Sequence, residues 1–293
     1  MSPSQRNRPL LGAHVSVAGG LHKGFARADE LGVEAIQIFG ASPRSWSAPM
    51  PKKTDLKLYE EARAKSKVQE VYLHGAYLVN MASTDAALRA RSIKNLTAHL
   101  AIAHALQAQG VIFHPGSAGG QLREDALAKV VEGMQQVLEA VPGPTCLIME
   151  NTAGGGNSIG GTPEELGWLL KQAASARVKV CIDTAHSFEA GLVQSYTEES
   201  TKELFDAFDE QVGLANVVTL HVNDSKSIFN SHLDRHENLG EGFIGLDGFR
   251  ALAAEKRLYG KAWLLEVPGF EDMGPDKKNV ELLRDCFPEG VLR

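Results

Sequence analysis

The run Thr145-Cys146-Leu147-Ile148-Met149-Glu150-Asn151 is apolar through its middle and closes on a carboxylate and an amide. It does not alternate between apolar and polar positions. It therefore fits a strand covered on both faces rather than one with a wet side. A carboxylate at the end of such a strand needs a partner, because an unpaired buried charge is expensive. The same design recurs along the chain. Runs at 10–16, 35–40, 70–75, 110–116, 179–184, 217–223 and 263–269 are also short, apolar and rich in Val, Ile and Leu. Between them lie segments 21–31, 55–67, 85–109, 124–140, 163–174, 198–212 and 246–255, with apolar residues at three- and four-residue spacing. Thr162-Pro163-Glu164-Glu165 is a strong helix start: a Thr cap, Pro in the first position, then acids against the dipole.

Strict alternation of strand and helix implies a parallel sheet. Eight such units in 293 residues favour a closed (β/α)8 barrel, the TIM barrel of the α/β class, over an open doubly wound sheet. The expected organisation is a disordered tail over 1–9 and one catalytic barrel domain over 10–293. Composition is ordinary for a globular protein, with 43% hydrophobic and 23% charged residues, so neither a fibrous nor a disordered class fits. No apolar run approaches the roughly 18 residues of a membrane span. The polar, basic start lacks the apolar core of a signal peptide. Three scattered cysteines do not make a disulfide framework and point to reduced thiols in the cytoplasm. The net charge of −6 weighs against a nucleic-acid partner until bound cations are counted.

The strand ends carry the chemistry. The runs end at His14, His74, His114, Glu150, Asp183 with His186, His221, and Glu266, and Asp234-Arg235-His236 follows in the loop after the seventh. In a barrel these C-terminal ends meet on one face, where active sites are built. Imidazole nitrogens and carboxylate oxygens suit zinc. Nine candidates (His74, His114, Glu150, Asp183, His186, His221, Asp234, His236 and Glu266) exceed the needs of one four-coordinate ion. They indicate two or three ions sharing at least one bridging carboxylate. Asp234 and His236, two apart, face one way in an extended segment. Asp183 and His186, three apart, require a turn and are read as serving different ions. His14 reads as a support for the ligands rather than a ligand. His22, His99 and His104 fall in expected helices as surface or packing residues, and His232 lies off the Asp-x-His register.

The stretch Gly12-Ala13-His14-Val15-Ser16-Val17-Ala18-Gly19-Gly20-Leu21 resembles the opening of endonuclease IV, a family of zinc-dependent abasic-site endonucleases. The same resemblance holds for Phe113-His114-Pro115-Gly116-Ser117, Glu150-Asn151-Thr152-Ala153-Gly154 and Cys181-Ile182-Asp183-Thr184-Ala185-His186. It continues through His221-Val222-Asn223-Asp224-Ser225-Lys226, Asp234-Arg235-His236, Gly240-Glu241-Gly242-Phe243-Ile244-Gly245 and Leu265-Glu266-Val267-Pro268. The motifs run in order from about 10 to 281, and their joint occurrence is highly specific.

The resemblance implies three zinc ions held by the nine residues. His74, His114 and Glu150 would form one site. Glu150, Asp183, His221 and Glu266 would form a second, bridged to the first by Glu150. His186, Asp234 and His236 would form the third. It implies a DNA-repair hydrolase of the base excision pathway. Zinc-activated hydroxide positioned by Glu150 would cleave the phosphodiester 5′ to an abasic site in duplex DNA. The products would be a 3′-hydroxyl and a 5′-deoxyribose phosphate, and blocked 3′ ends would be trimmed by the same attack (3′-phosphatase and 3′-phosphodiesterase activity). Opening the duplex at the lesion costs least where no base is present. By resemblance, DNA contacts fall on Arg44, Tyr77, Asn80, Lys226 and Arg235, and Lys52 and Lys53 add positive charge in loops of that face. The expected state is a monomer without a membrane partner, cytoplasmic and at the nucleoid during repair. Three Zn²⁺ ions would add about six positive charges and bring the protein near neutrality. One stretch departs from the family. Where a Thr-Lys-Asn-like sequence usually follows Phe39, this chain has Gly40-Ala41-Ser42, so a DNA-facing loop lacks a basic residue and an amide. Two other readings compete: a sugar isomerase or epimerase of the same barrel superfamily, with fewer ligands and one or two ions, and a non-catalytic, metal-stabilised lesion binder.

Overall fold

The computed structural model describes residues 7–292. Its strands are β1 (Leu10–His14), β2 (Ala35–Phe39), β3 (Glu70–His74), β4 (Gly110–Phe113), β5 (Cys146–Glu150), β6 (Val178–Asp183), β7 (Val217–His221), a short ribbon of β8 (Asp224–Ser225) and β9 (His236–Glu237), and β10 (Ala262–Leu265). The helices are α1 (Lys23–Leu31), α2 (Lys53–Arg63), α3 (Ala86–Ala105), α4 (Arg123–Ala140), α5 (Pro163–Ala173), α6 (Thr184–Glu189), α7 (Glu198–Gln211), α8 (Gly245–Ala254) and α9 (Lys277–Cys286). The eight long strands pair in parallel and close in the order β1-β10-β7-β6-β5-β4-β3-β2. This is the expected (β/α)8 barrel.

Both faces of each strand are covered, which explains their largely apolar runs. Leu10, Ala35, Tyr72, Ile112, Ile148, Cys181, Ala262 and Leu264 fill the barrel interior. A larger layer, including Leu73, Val111, Leu147 and Ile182, packs outward against the helices. Close strand contact sets some residue choices. A side chain at Gly110 would bring its Cβ within 2.5 Å of the Cys146 carbonyl oxygen. Register aligns the strand ends, with Asp183 beside His221 and His74 beside Phe39 and Ile112. The Thr162 start of α5 forms as read, its Oγ1 accepting from the Glu165 amide at 3.3 Å.

Several boundaries differ from the sequence reading. β3, β5, β6 and β7 stop at their ligand candidate, and β4 and β10 one residue before it. Of the tail expected over 1–9, residues 1–6 lie outside the described residues. Arg8, by contrast, is held by Glu34 through two bonds of 2.6 and 2.8 Å, and Pro9 is buried. Helices α6 and α9 were not expected. The first is a six-residue turn that follows β6 without a break, and the second carries only a narrow apolar stripe of Val280, Leu283 and Cys286. His22 precedes α1 instead of lying within it. Lys53 opens α2 instead of lying in a loop.

Candidate metal centre

The nine residues singled out at the strand ends and in the loop after the seventh strand meet at the C-terminal mouth of the barrel. Their donor atoms fall into four overlapping groups, each within 4.8 Å: His74, His114 and Glu150; Glu150, Asp183, His221 and Glu266; His114, His186 and Asp234; and Asp183, His186 and His236. The first two match the implied ligand sets. The third implied set is divided: His186 groups with His114 and Asp234 on one side, and with Asp183 and His236 on the other. Asp234 and His236 still approach each other, at 3.7 Å. Asp183 and His186, read as serving different ions, also share a group. Asp183 reaches two groups because the chain turns directly after β6. Its Oδ1 caps α6 by accepting the His186 amide at 2.9 Å, and its Oδ2 lies 3.8 Å from His221 and 3.5 Å from His236.

Glu150 lies at the centre, fully buried. Its Oε2 faces His74 Nε2 at 3.2 Å and His114 Nε2 at 3.1 Å, while its Oε1 faces His221 Nδ1 at 2.8 Å. One carboxylate thus presents an oxygen to each of two groups, the arrangement a bridging ligand requires.

Three of the rings have a second nitrogen engaged. His74 Nδ1 lies 2.9 Å from the Gly75 carbonyl oxygen and His186 Nδ1 lies 2.8 Å from that of Asn151. His221 Nε2 lies 2.8 Å from Gln37 Oε1. A ring that donates from one nitrogen keeps a lone pair on the other, which is how metal-binding histidines are oriented. Asn151 and Asn223, both buried, hold the acids. The Asp183 amide donates to Asn151 Oδ1 at 2.6 Å. Asn223 Nδ2 donates to Asp183 Oδ2 at 2.7 Å, and the Glu266 amide donates to Asn223 Oδ1 at 2.7 Å.

This donor set fits divalent cations. Among the described residues, the four carboxylates have only histidine as ion-pair partners. The Nε2 atoms of His186 and His236 are buried without a hydrogen bond, although carboxylate oxygens approach them at 3.2 and 3.5 Å. Both histidines belong to one ligand group with Asp183. Protonation follows the same demand for positive charge. Burial pulls His186 and His221 down, yet Asp183 and Asp234 at His186, and Cys181 with Glu150 and Glu266 at His221, outweigh it and hold both well above the ordinary histidine range. Burial pushes Glu150 up, but the fields of His221 and His114 hold it well below the usual carboxylate range. Glu266 and Asp234 are also held low, against burial, chiefly by His221 and His186 respectively. Cations in this space would replace those protons as the countercharge.

The wall forms the floor of an open groove of about 1210 Å³, whose lining includes His14, Phe39, Arg44, Tyr77, Arg235 and Met273. His114 and Asp234 are the ligand candidates most open to it, with side chains 34% and 53% exposed. Arg44 is exposed on the loop after β2. Tyr77 is 63% exposed, its ring edge-on to Phe39 at 5.7 Å and tilted against His74 at 5.7 Å. Partial desolvation beside the groove floor, with Glu266, Glu150 and Asp234 nearby, raises its hydroxyl to about 12, so it remains a donor. Arg235 rides between the two ligand candidates of its loop. Glu189 Oε1 holds that loop, accepting from the Arg235 amide at 3.2 Å and from Ser225 Oγ at 2.7 Å, and burial raises Glu189 to about 7.

Two of the expected DNA-contacting residues stand apart from the groove. Asn80 lines an adjoining pocket of about 340 Å³ with His232. Its Oδ1 accepts the Ser117 amide at 3.2 Å, and Gly116 (φ +117°) leaves it room, since a Cβ there would collide with that oxygen. Lys226 lines neither cavity and lies 3.5 Å from Glu237. His14 is outside all four groups and contacts Gln37 at 2.8 Å and Glu266 at 3.3 Å. His99 is buried and bonds the Asn95 carbonyl oxygen, His104 contacts Thr145, and His232 Nδ1 contacts the Ala153 carbonyl oxygen. Gln37, Asn151, Asn223, Glu189 and Met273 were not recognised from sequence. A signal existed for Gln37, a lone amide inside the apolar run Ala35-Ile36-Gln37-Ile38-Phe39.

Comparison with known proteins agrees with the barrel fold. Residues 25–286 match a family model described as a xylose isomerase-like TIM barrel. The chain is 36% identical over 278 residues to a probable endonuclease 4 of Solibacter usitatus, covering 94% of this chain and 95% of the relative. The crystal structure of endonuclease IV from Thermus thermophilus superposes with a TM-score of 0.83 at 34% identity, covering 95% and 98% of the two chains. A D-tagatose 3-epimerase-like protein superposes with a TM-score of 0.72 at 19% identity, covering 94% and 96%, which shows a shared barrel and nothing finer.

Proposed function

The chain belongs to the endonuclease IV family, and from that premise we propose that it hydrolyses the phosphodiester 5′ to abasic sites in duplex DNA. The observation that carries the reading is Glu150, one buried carboxylate presenting an oxygen to each of two ligand groups at the floor of an open groove. The proposed cofactor is zinc, three ions per chain, held by the nine residues of the wall. Zinc bound there would supply water of lowered pKa at neutral pH and countercharge for a phosphate.

The chain's own residues account for the rest. Glu150, with its two oxygens facing opposite sides, fixes the spacing of the groups it joins. His114 and Asp234 leave the open side of the wall toward the groove, where a phosphate enters. Arg44 and Arg235 bring positive charge to a substrate that is uniformly anionic, and such contacts make affinity depend on salt. Tyr77, anchored on Phe39 and His74, offers a flat apolar face with a donor at its tip to the gap left by a missing base. A sugar without a base leaves the stack at low cost, so this rim selects the lesion without reading a base.

Cleavage on the 5′ side leaves a 3′-hydroxyl and a 5′-deoxyribose phosphate. The same attack at a blocked 3′ end restores a hydroxyl, so 3′-phosphatase and 3′-phosphodiesterase activities belong to the proposal. Among the described residues no helix is long and apolar enough to cross a membrane. We assign the protein to the cytoplasm as a monomer acting on the nucleoid. The test is a duplex carrying one tetrahydrofuran abasic analogue, incubated with fully metallated protein. The expected product is a single nick on the 5′ side of the analogue. Binding without a nick would favour a lesion binder. One manganese or magnesium ion per chain with no nick would favour a sugar isomerase.

A further inference from the structure

We propose that Gln37 is a positioning residue that sets the ring tautomer of His221 and the placement of Glu266. The inference rests on the metal-centre reading above and concerns which atom of His221 is free to bind. Gln37 is fully buried on β2, on the opposite side of His221 from Glu150. Its amide makes three contacts. Nε2 donates to Glu266 Oε1 in a short hydrogen bond and lies 2.8 Å from His14 Nδ1, while Oε1 lies 2.8 Å from His221 Nε2.

The orientation of that amide is dictated. Turned over, it would set its oxygen against the Glu266 carboxylate, two acceptors at hydrogen-bond distance in a buried site. With nitrogen toward Glu266, the oxygen must face His221 Nε2, and only a protonated Nε2 can satisfy it. The proton on Nε2 is then the one retained when a cation displaces the other, which leaves Nδ1 to face the space shared by Glu150 Oε1, 2.8 Å away, and Glu266 Oε2, 3.1 Å away. Both amide hydrogens of Gln37 are used, one on Glu266 and one on His14. His14 Nδ1 is therefore an acceptor, and its 3.3 Å approach to Glu266 is a contact, not a hydrogen bond. A charge on one ligand thus selects the binding atom of another through a neutral amide.

The experiment uses zinc-loaded protein labelled with ¹⁵N-histidine and compares wild type, Gln37→Met and Gln37→Glu. Long-range ¹H–¹⁵N spectra report which ring nitrogen is protonated, and zinc per chain is counted after dialysis against a weak chelator. Wild type is expected to show His221 protonated at Nε2. Gln37→Met keeps the volume but removes the acceptor and both donors. It should lose that single-tautomer signature and retain its most labile zinc about 10- to 100-fold less tightly, the scale seen when an outer partner of a ligand is removed. Gln37→Glu keeps an acceptor for His221 and sets a like charge against Glu266. It should preserve the Nε2–H signature yet lose zinc. Wild-type spectra and zinc retention in Gln37→Met would overturn the proposal, as would Nδ1 protonation in wild type. Should Gln37→Met not fold, unchanged zinc retention in Gln37→Glu would overturn it equally. Absence of zinc from wild type would instead remove the metal-centre reading itself.

Discussion

The ligand wall and the rim above it share one face of the barrel but are fastened by opposite means. Asp183, His186 and His221 are buried, and their atoms are tied to Asn151, Asn223, Gln37 and the backbone. Arg44 and Tyr77 project into open space, Tyr77 touching the wall only through ring contacts. Chemistry on phosphorus needs donor atoms fixed to fractions of an ångström before substrate arrives. Gripping a distorted duplex needs side chains that adjust as it arrives. The contrast separates catalysis from recognition within one groove, and each half can be damaged without the other.

The largest effect is expected in the wall. Glu150→Gln keeps the volume but removes the charge that faces both groups. It should cut incision by at least about 10³-fold, the upper scale for losing one charge-stabilising contact, while circular dichroism reports an intact fold. Wild-type rates in that variant would break the bridging role. Effects at the rim should be smaller and of another kind. Tyr77→Ala and Arg44→Ala should each cost about 1–3 kcal/mol of duplex binding, the scale of one aromatic or cationic contact to nucleic acid. KM should rise with zinc content unchanged. A loss confined to kcat would move those residues into the chemistry and erase the contrast. The smallest effects belong to Arg235 and Lys226. Arg235→Ala should lower the slope of log affinity against log salt by about one, whereas Lys226→Ala, already near Glu237 and off the groove, should leave it almost unchanged. Equal slopes for the two would remove the distinction between them.

The same contrast governs how much could be read from sequence. The barrel was legible because buried parallel strands are apolar along most of their length and do not alternate, as at Cys146–Glu150. The wall was legible because a charge that closes such a strand needs a counter-charge. What was not legible is how the groups divide. His186 is three residues after Asp183, and only the immediate start of α6 carries it between the His114–Asp234 and Asp183–His236 groups. The supports were missed because Asn151, Asn223 and Glu189 resemble ordinary loop or helix residues until their partners are seen. Gln37 broke an apolar pattern and could have been flagged. Met273 could not: it is 85% exposed on a loop held by Gly269 and Gly274, and its place on the groove depends on that loop's path. The loop of Gly40, Ala41 and Ser42 lines the groove beside Arg44 with no charged side chain of its own. A rim with less charge there leaves Arg44 as its cation on that side.

A zinc-edge anomalous difference map from crystals of the metal-loaded protein goes to the heart of this reading. Three peaks are expected at the barrel mouth, with ligand distances of about 2.0–2.3 Å, two of them bridged by Glu150 and the third held by His186, with Asp234 and His236 drawn together from the two groups that His186 joins. A single peak, or peaks that leave Glu150 without a metal on either oxygen, would contradict it.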